Sequence, residues 1–420
     1  MTRVCAFETF GLAAWLLITP VLLTNAEDRP YLTTETPITL LSANDGGGET
    51  SEGALGLSGP LQGDSITVIH LGPDHPPIAK TVYGTVPNTG IGVPRMAISG
   101  NGRYGFVTNH SWRGDSQTDE TTDVSNLPPD RQNLLTVIDL ADPGLKVVQQ
   151  IPLPANPWMA VAHPDGKRIF VSTGNSFYVF AVDEGGAKLI QRSSSPVYVL
   201  FFDISPRGDR IVAVGPSSYS AKTPLPEVRI EIHLFAIRDA AVEYLQRIDV
   251  KEGAGIIDRP FAPRIAPDGR RAVVLNGLAN SAKLGLDDVL VLDLSLQAPK
   301  VTDVIPQVGD GLESVAFHPS GQMAVVSCID NVPPGSQRAS HLAVIDLSSR
   351  PSRLLYHLPI GAIPQGIEFT PDGSKLFVQI SSAHHIAVFD VSGFMLKPSP
   401  FVLHTGHSPS SLAIGPRFPQ

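Results

Sequence analysis

Apolar and polar residues alternate in short runs along most of the chain. The clearest run is residues 364–378, PQGIEFTPDGSKLFV. Ile367 and Phe369 fall on the inward face of an extended segment, and Glu368 and Thr370 on the outward face. A Pro-Asp-Gly turn and a second apolar run, 376–378, follow. Period-two alternation on both sides of turn residues predicts a β-hairpin. Pro presets φ at such a turn, and Gly accepts positive φ. A third β-rich run, IAVFDV at 386–391, brings the unit close to four strands.

The unit recurs. Its turn glycines are Gly102, Gly166, Gly208, Gly269, Gly321 and Gly373, separated by 64, 42, 61, 52 and 52 residues. Third runs begin at Leu134, Phe177, Ile230, Asp288 and His341, and fourth runs at Lys146 and Arg353. Four strands in a period of roughly 40–50 residues are the pattern of a propeller blade. A single blade cannot bury both faces of its sheet, so neighbours must stack in a ring. The last run, SPSSLAIGP from Ser408, stops at its turn. Its missing partners lie at the other end of the chain: residues 37–42 as second strand, 65–71 as third and 79–86 as fourth. The expectation is therefore an all-β, seven-bladed propeller of four-stranded blades. Strands from both termini build its last blade and leave no free edge between first and last blades.

The pattern P-x-G-[apolar]-x-F-x-P-D-G, followed by an apolar strand and V-x-x-x-D, resembles the YVTN-type propeller repeat. The wider group is the lactonase-like propellers, similar to 6-phosphogluconolactonase and carboxymuconate cyclase. The resemblance runs over nearly the whole chain after its first residues. It implies the fold and a bacterial surface or periplasmic setting, and leaves the site open. A Gly-x-His-Pro-Arg-His-like stretch belongs to that group; the corresponding place here reads Gly92-Val93-Pro94-Arg95-Met96.

The N-terminal residues are patterned differently. Arg3, an apolar stretch over residues 10–23 and small residues up to Ala26 read as a secretory signal over residues 1–26. The apolar run is shorter than the ~20 residues of a spanning helix. Residues 27–62 form a polar leader that contributes one strand outside the innermost one, and 63–420 the propeller. Removal of the signal leaves Cys328 as the sole cysteine, read as a buried, inert thiol at a strand end. With 31 Lys and Arg against 40 Asp and Glu, the net charge is −9 and no basic cluster stands out, which excludes nucleic acid as a partner. A monomer acting on a small-molecule ligand or a protein partner is expected.

Candidate chemistry follows from loop lengths. In a blade of strands a to d, the a–b and c–d turns share one face, and the b–c and d–a connections the other. The a–b turns are tight. The b–c connections at 110–133, 215–227, 276–287 and 330–340, and the d–a connection at 251–263, are long. Insertions gathered on one face of a repeat protein mark its binding face. Residues at the starts of inner strands, Arg95, Trp158, Tyr198, Arg264, Glu313 and Gln365, then surround the channel mouth. His110, Trp112, Asn175, Asn276, Asp330 and His384 follow second strands on the same face. Arg95 and Arg264 suit clamping a carboxylate or an oxyanion; Glu313, His110 or His384 suit activating water. Trp112, Trp158, Tyr198, Asn175, Asn276, Asp330 and Gln365 suit ligand contact. Polar residues lining a wet channel are the plain alternative. No residue set reads as a metal site. Asp115, Asp119, Glu120 and Asp123 offer oxygen ligands for calcium without the spacing of a known calcium loop. Asp287-Asp288 reads as a solvated acidic pair, and His163 and His318 as structural residues of the a–b turns. No cofactor motif is present. The leading function is an exported binding protein that recognises a small molecule, glycan or protein partner through this face. The alternatives are a lactonase or lactone-forming isomerase with an Arg/Glu/His site at the channel mouth, and an accessory subunit of a periplasmic redox enzyme.

Overall fold

The computed structural model describes residues 30–45, 64–84, 96–109, 133–216, 229–249, 260–277, 287–330 and 340–417. They form seven four-stranded antiparallel sheets, arranged as the blades of a propeller. Blades 1 to 6 start with inner strands Met96–Ile98, Met159–Ala162, Phe201–Ile204, Pro260–Ile265, Leu312–Phe317 and Pro364–Phe369. Blade 7 is shared between the termini as expected. Pro409–Pro416 is innermost, then Ile38–Asn44, Ser65–Leu71 and Ile78–Tyr83. The expected signal, most of the expected leader and much of the long b–c and d–a connections lie outside the described residues. No helix among the described residues is long and apolar enough to cross a membrane.

Alternate residues of each middle strand pack against opposite neighbours. Phe177 of blade 2 meets Phe202 and Phe235 of blade 3 edge-on, with ring centroids 5.3 Å apart in both pairs. In blades 1 to 6 a bulge interrupts the pairing of the outermost strand. A bulge discourages edge-to-edge association. The outer strand of blade 7 pairs regularly and carries exposed Lys80 instead.

A second set of contacts ties blades 1 to 5 each to the next, and blade 7 to blade 1, on the a–b and c–d face. In blades 1 to 4 the residue two beyond the turn glycine reaches the c–d turn of the following blade, whereas Lys375 of blade 6 bonds Asp390 of its own blade. The Tyr104 hydroxyl donates to the Glu184 carbonyl at 2.6 Å, Arg168 to Asp239, Arg210 to Leu294 at 2.9 Å, and Arg271 to Leu347. Blade 5 has Met323 at that position, and Tyr356 makes the bond to Phe394 at 2.8 Å instead. Blade 7 has chain termini in place of an a–b turn. There the His70 ring bonds the Leu140 backbone of blade 1. The histidines of the a–b turns have the structural role expected of them. His163 Nε2 bonds the Gly208 carbonyl at 3.0 Å, and a Cβ on Gly208 would lie 2.3 Å from that nitrogen. His318 packs in the same way on Gly373. The turn glycine thus provides both a positive φ and room for the preceding blade.

Blades 6 and 7 are joined by a buried polar network. Gln379 Nε2 donates to Ser42 Oγ and to the Ser411 carbonyl, both at 2.8 Å, and Gln379 Oε1 accepts the Gly366 N–H at 3.1 Å. Ser42 passes the chain to Asn44, which donates to Ser65 and Thr67. One amide therefore links the N-terminal strand, the C-terminal strand and blade 6.

Replacing Gln379 with Leu removes the acceptor of the buried Gly366 N–H and both donations to blade 7, and is expected to cost about 3 kcal/mol in chemical denaturation. Deleting residues 408–420 removes the inner strand of the shared blade. It should abolish cooperative melting or lower the midpoint by roughly 10 °C or more, measured by calorimetry against the full chain.

Candidate functional site

The central channel is lined in layers set by the repeat. Five residues before the turn glycine stand Ala97, Val161, Asp203, Arg264, Ala316 and Glu368 in blades 1 to 6. Arg264 of blade 4 crosses the channel to blade 6, where Nη2 donates to both Glu368 oxygens at 3.0 and 3.1 Å. Asp203 Oδ2 accepts the Ile265 N–H at 2.7 Å. Burial opposes the charge on Arg264, but Glu368 and Asp203 outweigh it and hold its pKa up. Burial likewise pushes the Glu368 and Asp203 carboxyls up, with Arg264 pulling against it. Two carboxylates thus share one guanidinium inside the ring. This differs from the mouth position expected for Arg264, whose side chain is engaged in a cross-channel ion pair. It also corrects the outward assignment of Glu368.

Eight residues before the turn glycine lies the layer at the loop-rich face: Trp158, Leu200, Phe261, Glu313 and Gln365 in blades 2 to 6. Its two halves differ. On blades 2 to 4, Trp158 Nε1 donates to the Tyr198 hydroxyl at 3.0 Å. Trp158 also meets Phe201 edge-on at 6.3 Å, and Phe201 meets Phe261 at 4.7 Å. On blades 5 and 6 stand Glu313 and Gln365, both buried. Tyr198 belongs to the long outer strand Gly186–Val199 of blade 2, which leads directly into the inner strand of blade 3 with Leu200 between.

A third cluster lies between blades 4 and 5 on the same face. It surrounds the d–a connection at residues 308–312. Asp287 Oδ2 accepts the Gly311 N–H at 2.9 Å, and Asp330 Oδ1 the Asp310 N–H at 3.3 Å. Asp330 Oδ2 also pairs with His341 Nδ1, while His341 Nε2 faces the Val308 carbonyl at 3.2 Å. Both ring nitrogens of His341 therefore face acceptors, an arrangement that the imidazolium form fills. His357 Nε2 reaches the same carbonyl at 2.9 Å, with the two rings 4.2 Å apart. Burial lowers the His357 pKa first, and His341 lowers it further. Burial pushes Asp287 up to about 6, with Asp310 and Asp288 adding to the rise against the Gly311 N–H. Asp287 is therefore a clasp on the loop and not part of a solvated pair. Burial also raises the Cys328 thiol well above its ordinary value, in keeping with an inert residue.

The other sequence candidates are dispersed. Asn175 is exposed beside Gly174, whereas Asn276 is buried at the end of strand Arg271–Asn276. His384 lies at the seam of blades 6 and 7, in left-handed conformation after the short 3-10 turn Ser381–Ala383. Arg95, His110, Trp112 and the acidic residues 115–123 lie outside the described residues. Among the described residues no group of three or more His, Cys, Asp or Glu side chains is placed to hold a metal ion. Sequence reasoning missed Asp203, Glu368, His341 and His357. For the first two a signal existed: charged residues recur at one repeat position on blades 3, 4 and 6.

Two tests follow. Arg264→Met leaves Glu368 and Asp203 buried without their counter-ion and should cost about 3–5 kcal/mol in denaturant titration, much of it recovered by adding Glu368→Gln. Asp287 holds its proton to about pH 6 when folded, against an ordinary 3.8. Between those values the folded protein binds more protons than the unfolded chain, so this group makes stability fall as pH rises. In Asp287→Asn that contribution is gone. Its melting temperature relative to the parent should therefore rise from pH 4.5 to pH 7; parallel curves would contradict the placement of Asp287.

No protein-family model matches the chain, and no curated protein sequence matches it. Its fold is similar to solved structures. The periplasmic gluconolactonase of Pseudomonas aeruginosa aligns at 15% identity and TM-score 0.58, over 90% of this chain and 99% of that one. A Bacteroides uniformis protein provisionally assigned as a 6-phosphogluconolactonase aligns at 14% identity and TM-score 0.60, over 90% and 100%. Kuenenia stuttgartiensis hydrazine synthase aligns at 16% identity and TM-score 0.56, over 79% and 92%. At these identities the likeness establishes the propeller fold, which lactonase-like proteins share.

Proposed function

We propose that this chain is an exported YVTN-type propeller, acting as a monomer, that binds a small molecule on its loop-rich face and hydrolyses a lactone there. One observation carries the choice of face. The opposite face is taken up by blade-to-blade fastenings, and Arg264 and Glu368 bridge the channel between the two. The loop-rich face instead gathers the aromatic arc of Trp158, Tyr198 and Phe201, buried Glu313, and an aspartate that titrates near neutrality, Asp287. A carboxylate with a pKa near the working pH exchanges protons with water efficiently, as ester-like hydrolysis requires. The similar lactonase structures support the substrate class. The N-terminal signal pattern and the periplasmic setting of one of those proteins support export.

The test is a panel of sugar and aliphatic lactones on protein expressed from the full chain, with Glu313→Gln and Asp287→Asn beside it. Saturable turnover lost by at least about 100-fold in Glu313→Gln places chemistry at the channel mouth. A loss confined to Asp287→Asn places it between blades 4 and 5. Absence of turnover across the panel overturns the hydrolase half of the reading. Absence of a thermal shift with those lactones and their ring-opened acids overturns the binding half.

A further inference from the structure

The seam where the ring closes has a distinctive fastening. The connection at residues 405–408 leads from blade 6 into the inner strand of the shared blade. It is held at four points. The Thr405 N–H donates to the His384 carbonyl at 3.1 Å. The Gly406 N–H donates to Thr67 Oγ1 at 3.0 Å. The Ser408 N–H donates to the ring Nδ1 of His384 at 3.0 Å. The Ser408 carbonyl accepts the Asp45 N–H at 2.9 Å, just beyond the N-terminal strand. Three of these partners are neutral oxygens or amides. The fourth is an imidazole that accepts a backbone N–H, and it does so only while Nδ1 carries no proton.

The imidazole is also stacked. The rings of His384 and His407 lie 3.8 Å apart at 28°. His407 is part of the same connection, and its Nδ1 lies 3.3 Å from Ser408 Oγ. Charging both rings at that separation is unfavourable. We propose that His384 is an acid-sensitive latch on the ring closure: protonation of its Nδ1 ejects the Ser408 N–H and frees the connection at 405–408, loosening the pairing of strands Pro409–Pro416 and Ile38–Asn44.

The surroundings agree with this direction. The titratable groups acting on His384 are His407 from the connection and His385, the next residue, which begins the strand His385–Ser392. Burial, then those two histidines, hold the His384 imidazole below its ordinary value, against the Ser381 carbonyl, which favours the proton. The unfolded chain therefore takes up a proton at higher pH than the folded one. The latch is fully present above the ordinary histidine value of about 6.5 and is lost as pH falls below it. A protein exposed to external acidity then opens at one seam first, while the arginine and tyrosine bonds between blades 1 and 6 keep their charge state.

Hydrogen exchange of the full-length product at pH 7.5 and pH 5.0 tests the proposal, with rates corrected for intrinsic pH dependence. Peptides covering 38–45 and 402–416 should exchange at least about tenfold faster at pH 5.0, while peptides from blades 3 and 4 stay unchanged. His384→Asn supplies an acceptor that does not titrate and tolerates the left-handed backbone. It should protect the seam equally at both pH values. His407→Gln removes a group that holds the His384 imidazole down and should shift opening of the seam to higher pH. Equal protection at both pH values in the parent, or acid opening that persists in His384→Asn, overturns the latch. If His384→Asn does not fold, unchanged acid opening in His407→Gln overturns it alone.

Discussion

A ring of blades is only as stable as the junction between its last edge and its first. Here the junction is the ladder between Ile38–Asn44 and Pro409–Pro416. Without it, blades 6 and 1 would each present an unpacked apolar face, because each blade buries both of its faces against neighbours. The N-terminal strand is not held by hydrophobic packing alone. Ser42 and Asn44 are buried on it and bond Gln379, Ser65 and Thr67. Buried amides and hydroxyls are satisfied in one register only, since a slip of one residue would leave them unpaired. Apolar residues supply the drive to bury the strand, and the polar network specifies where it lies.

The two faces of the propeller use different chemistry. On the a–b and c–d face, arginine and tyrosine side chains reach backbone carbonyls of the next blade. Arginine keeps its charge throughout the accessible pH range, so the arginine bonds do not respond to acidity, unlike His70, which fastens blade 7 to blade 1 on the same face. On the loop-rich face the corresponding clasps are aspartates and histidines: Asp287, Asp330 with His341, His357 and His384. Burial raises the Asp287 carboxyl to about 6 and lowers the His357 and His384 imidazoles. The same residues that hold loops in place thereby make the face responsive.

The channel itself illustrates how burial changes the meaning of a charge. Along an outer strand, a charged residue in an alternating pattern faces water. On an inner strand both sides of the alternation are enclosed, one by the neighbouring blade and the other by the channel. Glu368 therefore lies inside although the pattern around it reads as inward Ile367 and Phe369 with outward Glu368 and Thr370. Its partner, Arg264, is 104 residues away and two blades distant. Buried pairs of this kind seldom add net stability over apolar residues, but removing one member strands the other.

The sequence by itself determined the period, the number of blades, the blade shared by both termini, the face that carries the long connections and the structural role of His163 and His318. These features rest on local signals: period-two alternation, turn residues with defined φ, and a repeat length. Tertiary structure alone decided which polar residues meet. The union of Arg264 with Glu368, the clasp of Asp287 and Asp330 on residues 308–312, the pairing of Asp330 with His341 and the stacking of His384 on His407 depend on how blades are rotated about a common axis. That rotation is set by the packing of whole sheets, and the spacing of residues along one strand carries no record of it.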